Sequence, residues 1–61
     1  MDVKKIIKSI QKMGFAEVDM LLAPPIGSKV EAIGEYDIFD FIVIDKHALP
    51  NGMHRVKIVR G

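Results

Sequence analysis

The stretch Tyr36-Asp37-Ile38-Phe39-Asp40-Phe41-Ile42-Val43-Ile44-Asp45 limits what this chain can fold into more than any other. Its β-branched and aromatic residues suit a strand. Strand side chains alternate between faces, so Phe39, Phe41 and Val43 fall on one side and Tyr36, Ile38, Ile42 and Ile44 on the other. Both faces are therefore apolar, and each needs a cover. One amphipathic helix is available in the sequence, which accounts for one face. The other is covered internally, by a sheet curled into a small barrel with strands 17–22 and 29–33 over it, or by another molecule.

The same strand opens a long β-hairpin. Its return arm is Met53-His54-Arg55-Val56-Lys57-Ile58-Val59, and Leu49-Pro50-Asn51-Gly52 supplies the turn. Asn-Gly favours a turn with positive φ at both central residues. A strict two-residue loop pairs Asp45 with Ile58 and Val43 with Arg60, which mismatches the faces. A loop from His47 to Gly52 instead pairs Val43 with Val56, Phe41 with Ile58 and Asp45 with His54. It also lays the aliphatic stems of Arg55 and Lys57 beside Ile44 and Ile42.

Upstream, Val3, Ile6, Ile7, Ile10 and Met13 follow the spacing of an amphipathic helix over residues 2–13. Asp2 is placed to cap its first turn and Gly14 to end it in a left-handed conformation. Glu17-Val18-Asp19-Met20 alternates in favour of a strand, although the Ala, Glu, Met and Leu residues of 15–22 also suit a short helix. Lys29-Val30-Glu31-Ala32-Ile33 alternates again, with Pro24-Pro25-Ile26-Gly27-Ser28 between them. The expectation is one α+β domain over residues 1–61, in the order α-β-β-β-β. The N-terminal helix packs on one face of a small antiparallel sheet that ends in the long hairpin.

At 61 residues, such a domain buries only about 60% of its unfolded surface and is marginal unless something reinforces it. The sequence has no cysteine, which removes disulfides and thiolate metal sites and suits a reducing, cytoplasmic setting. No apolar run approaches the ~20 residues needed to span a bilayer, so no membrane is expected. Self-association or a partner chain remains, and a homo-oligomer is the expected state.

Net charge is +1 but segregated. Residues 1–14 hold four lysines against one aspartate, and residues 15–45 hold seven carboxylates against Lys29. Residues 46–61 add Lys46, Arg55, Lys57 and Arg60. If the basic ends flank the acidic middle in the fold, they neutralise it. If they merge, they form an anion-binding patch.

Motifs of chemistry are sparse. Asp45, His47 and His54 have metal-ligand character, but no fourth ligand and no recurring spacing accompanies them, so a cross-strand Asp45–His54 pair is the simpler reading. Ser9 lies mid-helix and Ser28 in a loop, without a nucleophile–base pattern. Gly27-Ser28-Lys29 lacks the rest of a phosphate loop.

The expected function is a small non-enzymatic protein-interaction module, a homodimer, adaptor or inhibitor, without cofactor or metal. Its contact is Ile38, Ile42 and Ile44, rimmed by Arg55 and Lys57. The alternative is a nucleic-acid-binding protein using Lys4, Lys5, Lys8, Lys12 and Arg60 together with Arg55 and Lys57.

Overall fold

The computed structural model describes residues 2–61. One helix, α1 (Val3–Met13), precedes four strands, β1 (Ala16–Met20), β2 (Lys29–Ile33), β3 (Ile38–Ala48) and β4 (His54–Arg60). The strands form one curled antiparallel sheet in the order β1-β4-β3-β2. Three consecutive hairpin-linked strands, with β1 returned beside β4, make this a Greek-key order. The expected α+β architecture is the observed one.

Local chemistry sets the ends of α1. The Asp2 side chain accepts from the backbone N–H of Lys5 at 3.3 Å, and Gly14, at φ 87°, donates its N–H to the Ile10 carbonyl at 2.8 Å. Ile6 is buried, and Val3, Ile7 and Ile10 pack beside it against the sheet. Met13, expected on the same apolar stripe, is exposed at the final turn, where the chain leaves for β1.

The core lies between α1 and the inner face of the sheet. Phe41, Val43, Val56 and Ile58 are 0% exposed, and Ala16 and Ala32 are buried beside them. Each large side chain contributes about 1.5–3 kcal/mol relative to exposure. The β1–β2 connection crosses from one edge of the sheet to the other and adds Ala23 to this core. It ends where Gly27 N–H donates to the Val43 carbonyl at 2.7 Å and Val43 N–H donates to the Ser28 carbonyl at 3.0 Å.

The hairpin differs from the expected one. Val43 pairs with Ile58 and Phe41 with Arg60, in place of Val56 and Ile58. A slide of two residues leaves the same side chains facing inward, so the apolar pattern cannot distinguish the two registers. The ladder then shifts between Val43 and Asp45, leaving Ile44 as the extra residue of a β-bulge. Beyond the bulge, Asp45 faces Lys57 and His47 faces Arg55. The expected Asp45–His54 pair does not form, because His54 pairs with Ala48 and Met20.

The first arm runs Ile38–Ala48 rather than 36–45. Tyr36 stands in the β2–β3 turn, 88% exposed, not on the strand. The β3–β4 loop is correspondingly Leu49 to Met53. Gly52 N–H donates to the Leu49 carbonyl at 3.2 Å, and Met53 N–H donates to Asn51 Oδ1 at 2.9 Å. Only Gly52 takes positive φ there, so the expected turn with Asn51 also at positive φ is absent. Pro50 presets the preceding turn position, where its fixed φ suits a common turn.

Strands β1 and β2 are the two edges of the sheet and do not pair with each other. The barrel reading therefore fails: both strands lie alongside the hairpin, and neither lies over its second face.

Candidate functional site

The uncovered surface is the outer face of the sheet, away from α1. Register places its side chains in cross-strand rows. Nearest the β2–β3 turn, Ile33 pairs with Ile38, and these are 80% and 66% exposed. Glu31 then faces Asp40, and Lys29 reaches diagonally to Asp40, with Nζ 3.8 Å from Oδ2. Two carboxylates directly opposite destabilise a ladder, and Lys29 offsets part of that repulsion.

The middle of the face is apolar. Ile42 pairs with Val59. Phe15, immediately ahead of β1, lies on the same side and holds the Lys57 ammonium 4.4 Å from its ring centroid. Alternation from Val43 puts Ile44 outward, and pairing with Lys57 puts Asp45 outward as well. The bulge thus presents two consecutive side chains on one face. Ile44 is 43% exposed.

The far rows are charged and paired. Glu17 faces Lys57, which faces Asp45 in turn; Asp19 faces Arg55, which faces His47. The Arg55 guanidinium donates through Nε to Asp19 Oδ1 at 3.0 Å and through Nη2 to Oδ2 at 3.3 Å. This hydrogen-bonded contact holds the Asp19 carboxyl below its ordinary range and raises Arg55 further.

The expected interface residues therefore all lie on or beside one face, but not as one patch. Ile42 and Ile44 are adjacent, while Asp40 separates them from Ile38. Lys57 stands against the bulge. Arg55 is committed to Asp19 and opposes His47, so it does not cover Ile44 as expected; the two-residue slide and the bulge move it along the ladder. Sequence reasoning missed Phe15, Val59 and Ile33 as members of this face. Their signal was alternation: Val59 continues the face of Arg55 and Lys57, and Ile33 that of Lys29 and Glu31.

The cations of the alternative reading are divided by the sheet. Lys4, Lys5, Lys8 and Lys12 are exposed along α1, whereas Arg55 and Lys57 lie on the outer sheet face. Arg60 opposes Phe41 on the helix side, its guanidinium 5.5 Å from the Phe39 ring centroid. The cations of β4 are interleaved with carboxylates of β1 and β3 rather than merged with the helical lysines.

A cleft of about 840 Å³ opens between the first turn of α1 and the β2–β3 turn. Val3, Ile7 and Phe39 line it together with Asp2, Glu35 and Asp37. Neither histidine and neither serine lies on it. The Ser28 hydroxyl donates to the Pro25 carbonyl, within its own turn. Asp45 and His47 face outward and His54 inward, so these three groups do not converge, and no metal-binding cluster occurs among the described residues. No helix among the described residues is long and apolar enough to cross a membrane. No protein-family model matches the chain, and neither a curated protein nor a solved structure was found to match it.

Proposed function

We propose that this protein is a non-enzymatic protein-interaction module of the cytoplasm, which pairs with a second copy of itself through the outer face of its sheet. The observation that carries the reading is the exposure of Ile33, Ile38 and Ile44 at 80%, 66% and 43% on a face that no element among the described residues covers. Ile44, Ile42 and Val59 form its contiguous apolar part, with Ile33 and Ile38 a separate pair beyond the Glu31–Asp40 row, and contiguous apolar surface marks interaction sites. The cysteine-free sequence fits the compartment.

A second copy suits the face for two reasons. Its apolar middle is flanked by both charge signs, with Lys29, Arg55 and Lys57 set among Glu17, Asp19, Asp40 and Asp45, so no single-signed field repels an identical surface. The molecule measures 34 × 21 × 20 Å, and a long side offers about 700 Å² in projection, close to the ~800 Å² each partner buries in a standard interface. Two sheets stacked ~10 Å apart about a twofold axis would bury Ile42, Ile44 and Val59 in common.

Sedimentation velocity at micromolar concentration should show a dimer. Ile42→Asp should shift it to monomer while leaving the far-ultraviolet circular dichroism unchanged. A wild-type monomer that binds no hydrophobic dye would sink the proposal, as would a dimer indifferent to Ile42→Asp and Ile44→Asp.

A further inference from the structure

We infer that the outward side of α1 is a second interaction surface, one that binds the phosphate backbone of duplex nucleic acid without regard to base sequence. Lys4, Lys5, Lys8 and Lys12 are all exposed there. At 3.6 residues per turn they fall within an arc of roughly 100°, opposite the buried side of the helix. The ion pairs among the described residues are Lys29–Asp40 and Arg55–Asp19, so none of these four lysines is partnered. The first turn carries no acidic residue, and the carboxylate of Asp2 is turned to the Lys5 backbone N–H.

Spacing and surroundings choose among anionic partners. Lys4, Lys8 and Lys12 repel one another slightly along the stripe, by a few tenths of a kcal/mol, and a polyanion relieves this. They span about 12 Å along the axis. One duplex strand presents a charge every 3.4 Å, so the stripe faces three to four of its phosphates. A membrane surface fits less well, because interfacial helices insert their apolar side. Here Ile6, Ile7 and Ile10 are already packed on the sheet. A single strand also fits less well, since it needs aromatic rings for stacking. Phe15, Phe39 and Phe41 belong to the sheet, and exposed Tyr36 stands at the β2–β3 turn, off the helix. Lys5 shares a cleft with Glu17, Asp19 and Arg55 at the β1 edge, and Lys4 one with Glu35 and Asp37, whereas Lys8 and Lys12 line neither cleft and stand clear of these carboxylates.

The test is fluorescence anisotropy of the full chain with a labelled duplex of about 20 base pairs across a salt series. Four phosphate contacts give an expected slope of log affinity against log salt of about −3.6, or roughly a hundredfold weakening from 50 to 200 mM. Combining Lys8→Gln with Lys12→Gln should halve that slope and leave both helicity and oligomeric state unchanged, since glutamine keeps helix propensity. Combining Arg55→Gln with Lys57→Gln should leave the slope as it is. The inference is overturned by a flat titration at low salt, by equal losses from the sheet and helix pairs, by discrimination between scrambled duplex sequences, or by preference for phosphatidylserine vesicles over duplex.

Discussion

Arg55 and Asp19 form the best-defined side-chain contact of the outer face, and its exposure decides how much it contributes. Both side chains are more than two-fifths accessible, so solvent screens the pair and its contribution to stability is small. Its sign with pH is nevertheless fixed. The Arg55 guanidinium holds the Asp19 carboxyl below its ordinary value in the folded protein, so its stabilisation is present above the ordinary carboxylate range and is lost as pH falls through the lowered folded value. Arg55→Gln should therefore lower stability slightly at neutral pH and flatten the acid limb of the unfolding profile. Urea titrations between neutral and acid pH check this, and an unchanged acid limb would contradict it. Residue-level features of this kind were partly legible in the sequence. Asp2 and Gly14 were readable because a cap depends on a few adjacent residues. The partner of Arg55 was not, because it is set by the β1–β4 register, which joins segments far apart in the chain.

Among the elements, β3 carries the most information and also departs most from expectation. Its inward set, Phe39, Phe41 and Val43, follows from alternation alone. Its register does not, because a slide of two residues preserves every face, and the bulge at Ile44 leaves no trace in a run as apolar as Phe41-Ile42-Val43-Ile44. The bulge does have a structural occasion. β2 pairs as far as Ile42 and the connection leading into it makes its last bonds at Val43, through Gly27 and Ser28, so past that point β3 is held by β4 alone. Deleting Ile44 should let Asp45 follow Val43 in a regular ladder with Lys57 still opposite, retaining the fold while weakening self-association. Nuclear magnetic resonance cross-strand contacts between Asp45 and Lys57, with sedimentation of the same variant, test both halves. Loss of those contacts would mean that the bulge itself pins the register. The outer-face site was thus legible in kind, through Ile38, Ile42 and Ile44, but its extent was not. Phe15, Val59 and Ile33 join it only once the strand order is known.

At the scale of the whole molecule, a small core serves one face of one sheet, and no disulfide reinforces it. Domains of this size rarely hold more than about 3–5 kcal/mol, and removing a buried aromatic ring costs about 3–5 kcal/mol. Phe41→Ala should therefore leave no cooperative thermal transition at low protein concentration. A transition that survives intact would show that the core tolerates collapse around the cavity. The position of β4 has a further consequence. It lies between β1 and β3, yet it follows both in the chain, and β1 meets it only by pairing residues 16–20 with residues 54–58. During synthesis, β1 and the β2–β3 hairpin cannot join in one sheet until β4 emerges between them. Folding should then turn on a late, non-local closure rather than on growth from the amino terminus, and stopped-flow refolding that is slow for so short a chain is the expected kinetic signature of that order.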